Sequence, residues 1–61
     1  MERGERLREA RGETPRAVVA DAVGISVSAM SMYETGARVP RDEIKVKLAE
    51  FYGTTVQQLF F

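Results

Sequence analysis

The reactive side chains of this sequence are almost all charges and hydroxyls. Nine arginines and lysines stand against nine aspartates and glutamates, with no cysteine and no histidine. Disulfides, thiolate nucleophiles, imidazole bases and the usual zinc ligands are therefore excluded together. Only scattered carboxylates and hydroxyls remain for bond-breaking, so an enzyme is the least favoured class, and neither metal nor cofactor is expected. Guanidinium and ammonium groups instead bind anions. Arg3, Arg6, Arg8 and Arg11 are interleaved with Glu2, Glu5, Glu9 and Glu13 and largely cancel. Arg16, Arg38, Arg41, Lys45 and Lys47 are spread along the later chain, where they can converge on one face. Arg16 opens a helical stretch, where a cation meets an unfavourable dipole. An external anion such as phosphate accounts for it.

Residues 24–36, GISVSAMSMYETG, contain no lysine or arginine. At helical spacing Met30 and Tyr33 point inward beside the small Ala29, and Val27, Ser28, Ser31 and Met32 point outward. The outward set offers methyl, thioether and hydroxyl groups. It is either unremarkable surface or a contact surface that works without charge.

The elements that position these groups are set by capping and breaking residues. Residues 2–11 form a charged surface helix with Leu7 and Ala10 as a narrow apolar stripe and Gly12 as its stop. Thr14-Pro15 is a helix start, with a hydroxyl at the N-cap and proline at the first helical position. The second helix runs from Pro15 to about Val23, and Gly24 ends it in a left-handed conformation. Ile25 drops inward, Ser26 caps the third helix, and Thr35-Gly36 closes it. Pro40 keeps 37–40 a loop. A fourth helix spans about Asp42 to Tyr52, with Ile44, Leu48 and Tyr52 on one side and Gly53 at its end. Thr54 or Thr55 caps a last short helix carrying Val56 and Leu59, and Phe60-Phe61 follow. No strand pattern competes, so the fold class is all-α, with five short helices.

Within this layout, residues 15–34 form a helix, a turn through Gly24-Ile25-Ser26, and a second helix. Two helices meeting steeply need a glycine in the turn, a small residue at the contact and an apolar residue inside the turn. Gly24, Ala20 and Ile25 fill those places, supported by Val19, Val23 and Met30. The combination of Val19-Ala20, Gly24-Ile25-Ser26, Tyr33-Glu34-Thr35-Gly36, Pro40, Leu48-Ala49 and Gly53 resembles the lambda repressor and Cro family of bacterial and phage DNA-binding domains, the XRE type of transcriptional regulator. The resemblance runs from Leu7 to Leu59 and implies a five-helix domain built on a helix-turn-helix.

It further implies that Ser26–Glu34 is a recognition helix whose base-facing positions are Val27, Ser28 and Met32, with Ser31 at their margin. Apolar groups there would meet thymine methyls, and hydroxyls would meet base edges or phosphate. Arg16 matches a position usually held by glutamine that contacts phosphate. Thr35 and Gly36 match a loop whose backbone N–H groups meet phosphate, and Arg38, Arg41 and Lys45 are added as phosphate contacts from charge. Glu34 matches an acidic residue that pairs with an arginine of the first helix, here assigned to Arg8. The chain departs from the pattern in Gly12-Glu13-Thr14, one residue longer than usual, in Thr35 where asparagine is commoner, and in its zero net charge.

The 61 residues make one domain, 1–61, near the size at which a single core becomes marginal. An apolar share of 44 % and a charged share of 30 % fit a globular chain. No apolar run approaches the ~20 residues of a membrane span, so a cytoplasmic location is expected. The function expected is a sequence-specific transcriptional regulator, a repressor binding double-stranded DNA as a homodimer on a palindromic operator, with release through dissociation, proteolysis or a protein partner. Phe60 and Phe61, with Val56 and Leu59, either close the core or form the two-fold contact. The alternative is an antitoxin-like or adaptor module that uses the same fold to hold a protein, which the neutral charge favours.

Overall fold

Glycine and proline divide the chain, and the segments between them coil as expected. The computed structural model describes residues 4–61. The elements are α1 (Glu5–Arg11), α2 (Arg16–Val23), α3 (Val27–Thr35), α4 (Asp42–Tyr52) and α5 (Val56–Phe60), with no strand among the described residues. None of these helices is long and apolar enough to cross a membrane.

Three of the expected helix boundaries hold at the level of capping atoms. Ser26 Oγ accepts the Ala29 N–H at 3.0 Å and Thr55 Oγ1 accepts the Gln58 N–H at 3.1 Å, each satisfying a donor the helix itself leaves unpaired. Gly24 takes φ 76°, ψ 34°, while the Ile25 N–H reaches back to the Ala20 carbonyl at 2.9 Å. This is a left-handed helix stop that turns Ile25 onto the core.

Two boundaries differ. Pro15 rather than Thr14 is the N-cap of α2, and it makes no side-chain cap bond. The Thr14 carbonyl instead accepts a hydrogen bond from Arg11 at 2.9 Å. Gly4 lies outside the first helix, as a left-handed N-cap with φ 90°. A Cβ on it would run into the carbonyl oxygens of Tyr33 and Glu34. The start of α1 thus lies directly on the backbone of the last turn of α3, which no local pattern announces. The rest of the expected start of that helix, Glu2 and Arg3, lies outside the described residues.

Leu7, Val19, Ala20, Val23, Met30, Tyr33, Ile44, Leu48, Ala49 and Leu59 form the core, with Ile25, Ala29, Tyr52, Val56 and Phe60 packed against it. α3 packs on α1 and α2, α4 packs on α2 and α5, and α1 also meets α5. The expected apolar stripe on α1 reduces to Leu7, because Ala10 is exposed.

Candidate nucleic-acid interface

α3 divides into two faces. Met30, Tyr33 and Glu34 are buried, whereas Val27 and Ser28 are exposed and Ser31 and Met32 half-buried. Positions 27 and 31, and 28 and 32, are one turn apart, so these four side chains share one side of the helix. The face is fixed from behind. Met30 is fully buried, and Glu34, in the last turn of α3, is a carboxylate with no exposed surface.

A buried charge is costly unless paired and hydrogen-bonded. Glu34 meets that requirement with two arginines from two other helices. Arg11 Nε donates to Oε2 at 2.6 Å and its Nη2 to Oε1 at 3.1 Å, a two-pronged grip from the end of α1. Arg16 Nε, at the start of α2, donates to Oε1 at 2.9 Å. Burial acts to raise the Glu34 pKa, but the hydrogen bonds from Arg11 and Arg16, with their charges, outweigh it and hold the carboxyl below its ordinary value. The hydrogen bond to Glu34 raises Arg11 in turn, against the opposing effect of its own burial. Tyr52 feels the same cluster: burial, then the Glu34 charge, push its phenol up to about 12, although the Arg11 charge pulls the other way. Its hydroxyl is buried and has no hydrogen-bond partner among the described residues.

This cluster corrects the expected pairing of Glu34 with Arg8, which is exposed. The sequence carried the signal: Arg11 follows the buried Leu7 by four positions and so shares its inward side, whereas Arg8 is turned about 100° away. The longer connection through 12–14 accommodates Arg11, whose Nη1 donates to the Thr14 carbonyl.

The other anion-binding candidates separate. Arg38 is exposed, and its backbone N–H donates to the Met32 carbonyl at 3.3 Å, which sets it beside the outward face of α3. Arg41 is exposed at the N-cap of α4. Neither has an ion-pair partner among the described residues. Lys45 is turned inward instead: its side chain is only 14 % exposed. Its Nζ is 3.9 Å from Asp42 and 5.7 and 5.2 Å from the ring centres of Phe60 and Phe61. Being four positions before the buried Ala49 places it toward the core, apart from the exposed Arg38 and Arg41 with which it is grouped as an expected phosphate contact. The Gly36 N–H donates to the Tyr33 carbonyl at 3.3 Å, and the Thr35 hydroxyl to the Met32 carbonyl at 3.2 Å. Both groups are thus engaged at the C-terminal end of α3.

At the far end of the chain, Leu59 is 6 % exposed and belongs to the core, which removes it from the expected dimer contact. Val56 and Phe60 are partly buried against the same core, and Phe61 is 76 % exposed.

The profile of a family described as a helix-turn-helix domain matches residues 4–59, nearly the whole chain. The protein belongs to that family, the XRE/Cro-like kind of helix-turn-helix domain. Comparison with curated proteins found no match. Within the matched residues α2, the turn at Gly24-Ile25-Ser26 and α3 follow one another as helix, turn and helix.

Proposed function

We propose that the protein is a sequence-specific transcriptional regulator, a repressor that binds a palindromic operator in double-stranded DNA as a homodimer and blocks access by occupying it. The observation that supports this most directly is the outward face of α3. Val27, Ser28, Ser31 and Met32 lie together on a helix whose opposite side is locked by Met30 and by the Glu34 cluster. In this reading α3 enters the major groove and the four side chains meet base edges, with Val27 and Met32 on thymine methyls. Arg16, Arg38 and Arg41 hold phosphates, so the reading helix needs no charge of its own. Half-sites would lie about one turn, ~34 Å, apart. Phe61, with the edges of Val56 and Phe60, is the part of the C-terminal helix left for the two-fold contact. Release then falls to dissociation, proteolysis or a protein partner.

Selection of bound sequences from a random duplex pool tests this proposal. An inverted repeat with thymine at fixed positions is expected, and recovery of unselected sequence would overturn sequence-specific reading. The adaptor alternative draws on the zero net charge, and it requires that duplex DNA not be bound at all.

A further inference from the structure

The two arginines on Glu34 differ in what they have left over. Arg11 engages all three of its guanidinium nitrogens on the protein: Nε and Nη2 bind Glu34, Nη1 binds the Thr14 carbonyl, and the side chain is 17 % exposed. Arg16 gives Glu34 its Nε alone; its Nη1 and Nη2 have no hydrogen-bond partner among the described residues, and its side chain is 40 % exposed. A guanidinium fixed at Nε has its plane and direction set, and the two terminal nitrogens then form a rigid fork suited to phosphate oxygens. Glu34 belongs to the last turn of α3, so that fork is held beside the helix proposed to enter the groove.

We propose that Glu34 is the positioning residue of Arg16. The buried carboxylate grips Nε and aims the terminal fork at a phosphate of bound DNA, while Arg11 neutralises and anchors the carboxylate. One buried charge thereby fixes the packing of α3 and orients a phosphate contact at its flank. The inference rests on the DNA-binding reading above and deepens it. It also accounts for the choice of arginine over lysine at position 16, because a lysine bound to Glu34 through its single ammonium has no second, rigidly directed pair of nitrogens to present outward.

The test compares Arg16→Gln, Arg16→Lys and Arg11→Lys in the full chain, reading thermal melting and the salt dependence of binding to a labelled mixed-sequence duplex. Arg16→Gln and Arg16→Lys are expected to melt close to the parent, since Arg11 still reaches both oxygens of Glu34. Each should lose roughly tenfold in affinity, typical of a charge-assisted hydrogen bond. Each should also lower the slope of log K against log salt by ~0.9, one phosphate. Arg11→Lys is expected to lower the melting temperature and, at temperatures where it is folded, to leave the slope unchanged.

A lysine at 16 that keeps the parent's affinity and slope would overturn the positioning role, because charge alone would suffice. So would an Arg16→Gln that loses stability as Arg11→Lys does with its slope intact, which would make Arg16 purely structural. Failure of the parent to bind duplex overturns the DNA-binding reading together with this one. Binding by the parent with either of the other results overturns this inference alone.

Discussion

Glu34 carries more of this fold than any other polar residue, because three helices meet at its carboxylate. Removing one partner from a buried pair leaves the other uncompensated, so Glu34→Gln is expected to cost about 3 kcal/mol, a large part of a small domain's stability. Chemical denaturation at neutral pH measures it. The pH dependence has a definite sign. The folded pKa of Glu34 lies below its ordinary value of 4.5, so the unfolded chain takes up the proton first as acid is added. The contribution is complete above that value and is lost as pH falls through the folded pKa. The parent's acid-side loss of stability should therefore be shallower in Glu34→Gln, and an unchanged acid limb would contradict the account. Tyr52 gives the alkaline counterpart. Its pKa of about 12 is raised above the ordinary 10.0, chiefly by burial, so its ionisation opposes folding and stability falls between those values as pH rises, with no such loss below pH 10. The same hydroxyl is buried without a partner among the described residues. Tyr52→Phe is expected to stabilise the fold by about 1 kcal/mol and to flatten the alkaline limb in the same denaturation series. A loss of stability would mean that the hydroxyl is satisfied in solution.

The helices show which physical signals are written locally. Ser26, Gly24 and Thr55 define ends through atoms within a few residues of themselves, and α4 spans Asp42–Tyr52 as its pattern indicates. Gly4 and the Arg11–Glu34 pair were not legible in that way. Both depend on how α1 lands on the last turn of α3, 23 positions later for Arg11 and thirty for Gly4. Leu7 and Arg11 on one side of a helix was the available clue, and the family resemblance to a shorter connection pointed away from it. The two glycines give a direct comparison. A Cβ on Gly24 meets nothing within 4 Å, so only its left-handed backbone opposes substitution. Gly24→Ala should cost about 1–2 kcal/mol, lowering the melting temperature by roughly 5–15 °C. Gly4→Ala adds a clash with two α3 carbonyls that no side-chain rotation relieves, so its melting temperature should fall further than that of Gly24→Ala. Equal effects would mean that α1 does not seat on α3 as described. On the outward face of α3, Val27→Ala or Met32→Ala should change which sequences are preferred while leaving mixed-sequence affinity nearly constant, as read from competition with paired duplexes. A uniform loss would contradict direct reading by these residues.

For the whole molecule, zero net charge weakens the case for a phosphate binder only if every charge counts equally. The structure sorts them. Arg11 is turned inward to Glu34, Lys45 is covered beside two aromatic rings and the exposed Asp42, and Arg6 Nη1 binds the Gln58 carbonyl. Arg16 keeps two terminal nitrogens without a partner among the described residues, and Arg38 and Arg41 stay exposed. That sorting depends on tertiary packing, which is why composition alone cannot rank the cations and why Lys45 reads as a surface charge in the sequence. The same holds at the C-terminal helix, where spacing shows that Leu59 is apolar but not that the core claims it and leaves Phe61 outside. The central claim is that a neutral chain binds duplex DNA through a few phosphate contacts flanking an uncharged reading helix. Titrating salt against binding of the parent chain to a labelled duplex tests it most directly. A linear fall of log K with log salt, with a slope of about 3 from ~0.9 for each of three arginines, is the expected result, and binding that is absent or flat with salt would contradict it.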